Sequence, residues 1–242
     1  MILAAAMLAG PAHAIALTFN PNRIIENNDL SPAALMSIRR IQQFLSTQSG
    51  VLKNYKQTVN GREMTAAEVM YTVAQEFRIS PQFIMVTLQK EQSLITNPSP
   101  STRALQYAMG YGCPDSAPCN PEYAGLFTQI RLAARQIRER YLNPLEQGGY
   151  TISGWKVGVT KNVDGIDVTP ENNATAVLYT YTPHIHGNEL FWRIWNRWFE
   201  ITFPDGALLR AQGEGGIWLL KDGVRHPFHS ASAFFSRYDI RR

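Results

Sequence analysis

Residues 80–95 read SPQFIMVTLQKEQSLI and predict a helix that carries the main candidate for catalysis. Ser80 followed by Pro81 is a typical helix start, because serine caps the first turn and proline fits its first position. Helical spacing, at offsets of four, seven and eleven residues, places one set of side chains on a single face: Ile84, Leu88, Glu91 and Ile95.

Glu91 is the acidic member of this otherwise apolar face. A carboxyl group at a core position loses solvation, and desolvation favours the protonated form that a general acid needs in glycoside cleavage. Two structural roles fit the same pattern: a buried Glu paired with a neighbouring Arg, or a Glu at a frayed helix end. Glu91 is therefore a candidate acid, with these two roles as alternatives.

Capping and proline signals predict five further helices, so we expect a mainly α (α+β) fold. The segment from Thr65 to Glu68 has the form of a capping box, in which each side chain bonds the other's backbone. The other predicted helices run from Ser31-Pro32 to about Ser46, from Asn120-Pro121 along an apolar face to Tyr141, from Thr169-Pro170 to about Tyr181, and from Asn188 to Phe199.

Glycine and β-branched residues predict the remaining structure. Residues 146–168 favour a small hairpin or a long loop. After Phe203 the pattern changes, and Asp222-Gly223 between two apolar runs predicts a β-hairpin. We therefore expect a helical domain over 20–200 and a small β-rich appendage over 204–242, with truncation of the appendage left open.

The composition excludes several classes of protein. The 242 residues are 45% hydrophobic and 17% charged, which excludes an intrinsically disordered chain. The net charge is +4, and the basic residues are scattered without a run of five. A nucleic-acid partner is therefore not expected.

The N-terminal residues 1–14, MILAAAMLAGPAHA, resemble a signal peptide, with an apolar stretch and a small-x-small cleavage site. A short buried helix is the alternative. Since no other stretch reaches about 18 uninterrupted apolar residues, we expect no membrane span after signal removal and a secreted, cell-surface or cell-wall location.

The two cysteines flank a short polar loop, CPDSAPC, and in an oxidising compartment Cys113 and Cys119 are expected to form a disulfide. Two reduced thiols are the alternative. His184 and His186 alternate in a loop and do not form an i, i+4 helical pair. We therefore expect no zinc site and no cofactor, and the motifs of P-loop, Rossmann and α/β-hydrolase proteins are absent.

Aromatic and amide side chains near the predicted helix ends could contact a sugar. Tyr107 and Tyr111 lie in a glycine-containing segment, and their rings could stack on sugar faces, with ordinary loop packing as the alternative. Gln129 borders an apolar helix face and could bind the acid or the substrate, or simply lie at the surface. Tyr179 and Tyr181 precede Pro183, which ends their helix.

The order of these segments resembles the lysozyme-like superfamily, in particular the soluble lytic transglycosylases and related glucosaminidases. The resemblance covers roughly residues 20–200. It rests on LQKEQSLI, AMGYG, a helix starting G-L-x-x-Q, and ATAVLYTYTP. The chain is also similar to exported bacterial surface proteins assigned to that fold, with the run LQKEQSLI…GYGCP…ATAxLYTYTPH…FWxIWxRWF. Its tail resembles a short repeat found at the ends of bacterial surface proteins.

The resemblance assigns roles to individual residues. Glu91 matches the catalytic acid, and Ser93 corresponds loosely to the serine that follows it, with Gln92 between them. Gln129 matches the glutamine of a Gly-Leu-Met-Gln segment, although one extra residue precedes it. Tyr179 or Tyr181 matches the tyrosine of a Tyr-Asn-Ala-Gly segment, and here Thr-Pro-His replaces Asn-Ala-Gly.

The resemblance implies a monomeric enzyme that cleaves β-1,4 bonds in peptidoglycan glycan strands. A single acid implies transglycosylation to a 1,6-anhydro product, whereas hydrolysis needs a second carboxylate. The candidates for that second group are Asp115, Glu122, Asp164 and Asp167. The alternatives are a non-catalytic lysozyme-like module that binds glycan, and a structural module whose appendage contacts a partner.

Overall fold

Helices dominate the computed structural model, which describes residues 18–114, 116–199, 206–210, 216–221 and 224–238. The chain divides into two compact units, of which the larger is Phe19–Glu200. The predicted signal peptide at 1–14 and Asp115 lie outside the described residues. Within them, no helix has the length and apolar character needed to cross a bilayer.

The larger unit contains nine α-helices among its described residues and two small hairpins. The hairpins are β1 (Lys56–Val59) with β2 (Arg62–Thr65) and β3 (Lys161–Val163) with β4 (Ile166–Val168), both antiparallel. The helices are α1 (Asn27–Leu30), α2 (Ile38–Ser46), α3 (Ala66–Phe77), α4 (Pro81–Gln92), α5 (Thr102–Gln106), α6 (Leu126–Gln136), α7 (Asn143–Glu146), α8 (Asn173–Tyr181) and α9 (Ile185–Phe199). A π-helical segment, Ile137–Leu142, joins α6 to α7. The prediction of a mainly α fold with small β elements is confirmed.

Helix α4 forms the middle of the core. Every side chain from Phe83 to Leu88 is buried, as expected of a helix enclosed by others, and the polar member of this stretch, Thr87, donates its hydroxyl to the Phe83 carbonyl. Helix α4 packs against α9, where the Phe83 and Phe191 ring centroids lie 5.1 Å apart. Burial ends at Gln89, and the last residues of α4 are only half-buried.

Two of the predicted helix starts are confirmed by their caps. The Thr65 hydroxyl accepts a hydrogen bond from the Glu68 backbone, and the Glu68 side chain accepts one from the Thr65 backbone. The Ser80 hydroxyl accepts a hydrogen bond from the Phe83 backbone, with Pro81 at the first helical position.

The four other predicted starts are wrong by three or more residues. Helix α9 starts at Ile185 and not at Asn188, which lies inside the helix and whose side chain donates to the Thr182 carbonyl. Ser31 donates to the Arg78 carbonyl, and α2 starts at Ile38. Asn120 caps only a single 3₁₀ turn before α6, while α8 starts at Asn173, where Asn172 accepts from the Thr175 backbone. A Ser-Pro, Asn-Pro or Thr-Pro pair thus marks a turn as readily as a helix.

The smaller unit contains the predicted C-terminal hairpin. Strands β6 (Trp218–Lys221) and β7 (Val224–Pro227) pair antiparallel, and β5 (Leu208–Leu209) pairs with the other edge of β6. The predicted turn residues 222–223 lie outside the described part of the chain. Helix α10 (Ala231–Phe235) follows, and its Phe234 packs edge-on against Phe228.

Candidate active site at the end of helix α4

Glu91 lies at the surface end of α4. The helix ends at Gln92, because Ser93 adopts a left-handed conformation with φ 55° and its backbone N–H closes onto the Gln89 carbonyl. The predicted continuation to Ile95 is therefore wrong. The Glu91 side chain is 27% exposed, so it lies at the border of the core and not within it.

The partner of Glu91 is Lys90. The Lys90 side chain is only 8% exposed, and its Nζ lies 2.6 Å from Glu91 Oε1 and donates to Thr182 Oγ1 at 2.9 Å. The same ammonium group lies 5.5 Å from the centroid of the Tyr181 ring. Adjacent helical residues do not normally face each other, so the sequence gave no signal for this ion pair; of the two structural alternatives, the paired Glu is the nearer one, with a lysine in place of the arginine.

Tyr181 links Glu91 to the glycine-containing segment after α5. Its hydroxyl donates to the Met109 carbonyl at 2.7 Å. Burial, and then the negative charge of Glu91, raise the pKa of Tyr181 well above its usual value. Tyr181 therefore stays a neutral hydrogen-bond donor at every physiological pH.

Gln129 holds this segment in place from inside the protein. It is fully buried, which excludes the surface position, and its amide makes four hydrogen bonds. Oε1 accepts from the Met109 and Tyr111 backbones at 3.2 and 3.0 Å, and Nε2 donates to the Tyr111 and Tyr123 carbonyls at 2.9 and 2.7 Å. Because these bonds use its two donors and both acceptor lone pairs, Gln129 positions the segment and has no capacity left for a ligand.

The disulfide and two aromatic rings complete this region. The predicted bond between Cys113 and Cys119 is present. Tyr111 is half-buried and contacts Tyr123 edge-on, with ring centroids 5.2 Å apart. Tyr107, also half-buried, lies 5.5 Å from the Arg103 guanidinium. Both predicted sugar-stacking tyrosines therefore keep part of their ring surface accessible.

The two tyrosines of α8 have different surroundings. The Tyr181 ring lies near the ammonium group of Lys90, the partner of Glu91, whereas Tyr179 is fully buried, with its ring 5.2 Å from that of Trp155. Burial is also the main cause that raises the pKa of Tyr179. Of the two candidates, Tyr181 is the one at the site. Ser93 is exposed and Gln92 half-buried beside Glu91.

Residues 23–202 match the family described as LasA, N-terminal domain. The chain belongs to this family. Its boundaries enclose nearly the whole helical unit, including Glu91, Lys90 and Tyr181. Comparison with curated proteins and with solved structures finds no match. The likeness to lysozyme-like enzymes stays a prediction.

In this LasA N-terminal domain, the candidates for a second carboxylate have other contacts. Asp164 accepts hydrogen bonds from His184 Nδ1 at 3.1 Å and from the Ile185 backbone at 2.8 Å, and these bonds lower its pKa. Asp167 accepts from Asn162, and Glu122 is exposed on the 3₁₀ turn before α6. None of the three has a hydrogen bond or ion pair with Lys90 or Glu91 in the described part of the chain.

His184 is thus a partner of Asp164, and His186 is exposed. Across the described residues, no group of three or more His, Cys, Asp or Glu side chains could hold a metal ion.

Proposed function

We propose that the protein cleaves the β-1,4 bonds of peptidoglycan glycan strands as a lytic transglycosylase, with Glu91 as acid and then base. The proposal is carried by one observation: Glu91 lies at the accessible end of a buried helix, where it pairs with Lys90, whose ammonium group also lies 5.5 Å from the centroid of the Tyr181 ring. Tyr107 and Tyr111 then offer partly exposed rings for sugar faces.

In the first step, the protonated Glu91 donates its proton to the glycosidic oxygen. The bond from this oxygen to C1 breaks, its electron pair stays on the oxygen, and positive charge develops at C1 and the ring oxygen. In the second step, the 6-hydroxyl of the same sugar attacks C1. Its proton passes to the Glu91 carboxylate, which restores the acid and leaves a 1,6-anhydro sugar.

Lys90 has a defined part in this scheme. In the free protein its ammonium group is paired with the Glu91 carboxylate at 2.6 Å. When a glycan strand covers the site and excludes water, a pair of charges becomes less favourable than a neutral pair. The first step requires Glu91 in its protonated form, and the Lys90 ammonium group is a proton donor within hydrogen-bond distance of it.

The test is mass spectrometry of peptidoglycan after incubation with the protein, beside Glu91→Gln and Glu189→Gln. Glu189 forms a surface ion pair with Arg193 and serves as the matched control. We expect anhydro-muropeptides from the wild type and Glu189→Gln, and a loss of at least about a hundredfold in Glu91→Gln, the usual scale for acid–base catalysis. Equal product from Glu91→Gln would refute the role of Glu91, and reducing-end products would indicate hydrolysis.

A second candidate function is non-catalytic glycan binding. The Lys90–Glu91 ion pair favours it, because an acid committed to a salt bridge needs no reaction to explain its position. Sacculi that bind the protein but release no fragments would favour this function over cleavage.

The disulfide supports an exported protein at the cell surface or in the cell wall, since such bonds persist in oxidising compartments. We expect the protein to act there as a monomer on glycan strands, without a cofactor.

A further inference from the structure

Residues 148–160, between α7 and β3, form a loop that is anchored from inside; we refer to it as the 148–160 loop. Thr151 is buried, its backbone N–H donates to the Trp155 carbonyl at 2.9 Å, and its hydroxyl accepts from the Trp155 N–H at 3.0 Å. The Thr180 hydroxyl of α8 donates to the Thr151 hydroxyl oxygen at 2.7 Å. The Trp155 ring is buried against Tyr179. The loop is therefore held in one conformation.

The anchored loop turns apolar side chains outward. Tyr150 and Ile152, on either side of the buried Thr151, are 54% and 61% exposed, and Val157 is 41% exposed. Ile152 is the most exposed large hydrophobic residue among those described. A fixed loop that keeps such side chains in water indicates an interaction surface.

The charge around these side chains is positive. Lys156 donates to the Gly148 carbonyl and lies 5.2 Å from the centroid of the Tyr150 ring. Lys161 donates to the Ser153 carbonyl and lies 5.0 Å from the Trp155 ring. Within the described residues neither ammonium group forms a salt bridge with a carboxylate, so both positive charges are uncompensated.

We propose that the 148–160 loop binds a lipid surface that carries negative charge. Ile152 and Val157 enter the acyl boundary, Tyr150 lies at headgroup level, and Lys156 and Lys161 face the phosphates. Sugar binding would call for a flat ring flanked by planar polar side chains, whereas the tip of this loop is the branched aliphatic Ile152. The surface is independent of the proposed glycan cleavage, because Glu91 takes no part in it.

The first test places a reporter on the loop of the full chain. Because Cys113 and Cys119 form a disulfide, Ile152→Cys supplies a single thiol for a nitrobenzoxadiazole fluorophore. The matched control is Ile38→Cys, at the start of α2, where Ile38 is 39% exposed. With vesicles of phosphatidylglycerol and phosphatidylcholine, we expect brighter, blue-shifted emission at position 152 and none at 38. No change at 152, or equal changes at both positions, overturns the proposal.

The second test measures vesicle binding of the unlabelled full chain. Removing the aliphatic tip with Ile152→Ser should weaken the partition coefficient about tenfold, and Ile38→Ser should not change it. Binding should also fall with added salt and on pure phosphatidylcholine, since the lysines need an anionic surface. If Ile152→Ser leaves vesicle binding unchanged but lowers binding to sacculi, the surface recognises glycan and the proposal is wrong.

Discussion

Glu91 and Gln129 are both polar residues beside apolar helix faces, but they differ in burial and in the number of their hydrogen-bond partners. Gln129 is fully buried, uncharged and saturated by four backbone hydrogen bonds. Glu91 is 27% exposed, and its carboxyl group is paired with one ammonium group. A site can thus contain two kinds of polar residue. One kind, such as Gln129, uses all its hydrogen bonds to fix a neighbouring segment, and the other, such as Glu91, keeps an accessible reactive atom.

The sharpest test of this difference is stability. Gln129→Leu removes four hydrogen bonds and leaves four buried or partly buried backbone groups, of Met109, Tyr111 and Tyr123, without this partner. At about 1 kcal/mol per bond, we expect a loss of about 4 kcal/mol in the free energy of unfolding by urea titration. Glu91→Gln should cost less, about 2 kcal/mol, because the amide still accepts a hydrogen bond from Lys90 although this largely buried ammonium group loses its counter-charge.

The control for Gln129 is Gln43→Leu on the exposed side of α2, which should change stability by less than about 0.5 kcal/mol. If Glu91→Gln destabilises the protein as much as Gln129→Leu, Glu91 is a structural residue like Gln129, and the distinction drawn between the two residues is wrong.

The second prediction concerns the segment that Gln129 holds. Gly110 and Gly112 both have left-handed backbones, with φ 69° and 68°, but a Cβ at Gly112 would collide with the Tyr123 ring, whereas a Cβ at Gly110 meets nothing within 4 Å. Gly110→Ala should therefore cost about 1 kcal/mol, the penalty of that conformation alone.

Gly112→Ala should cost about 2 kcal/mol or more, because Tyr123 must also move. Thermal unfolding of the two variants measures the difference between their losses of stability. If both variants lose the same free energy of unfolding, the Tyr123 ring can move aside without cost and the segment that Gln129 holds is loosely packed around it.

The smallest expected effect belongs to Asp164, a carboxylate that acts only as a structural acceptor. Its hydrogen bonds from His184 and the Ile185 backbone lower its pKa. A lowered pKa in the folded state stabilises the protein above the unfolded-state value, and this contribution is lost as the pH falls through the folded-state value. The wild type should therefore be slightly more stable than Asp164→Asn at pH 6 and lose this advantage below about pH 4.

Melting temperatures of the wild type and Asp164→Asn between pH 6 and pH 3 provide the measurement. Parallel curves over this whole range would show that the hydrogen bonds to Asp164 contribute nothing to stability.

Local signals in the sequence predicted much of the fold. The caps at Thr65 and Ser80 are sequence-local, so those helix starts were correct. Ser31, by contrast, bonds the backbone of Arg78, which lies 47 residues away, and no local pattern reports such a contact.

The candidate site was predictable only in part, for the same reason. The helical period identified Glu91 and Gln129 but gave neither the left-handed Ser93 that ends α4 nor the folding of Lys90 against Thr182. The four bonds of Gln129 depend on a turn that only tertiary packing creates. Sequence periodicity thus finds polar residues near a core, and the tertiary contacts decide which of them remain available for chemistry.

The hydrogen bonds of Gln129 also bear on how the disulfide forms. Together with the bond from the Asn120 N–H to the Gly112 carbonyl at 2.9 Å, they bring the two thiols of Cys113 and Cys119 together without covalent help. We therefore expect this turn to form before oxidation and not to depend on it. The disulfide thus adds a covalent constraint to a turn that backbone hydrogen bonds already hold, and it persists where the compartment is oxidising.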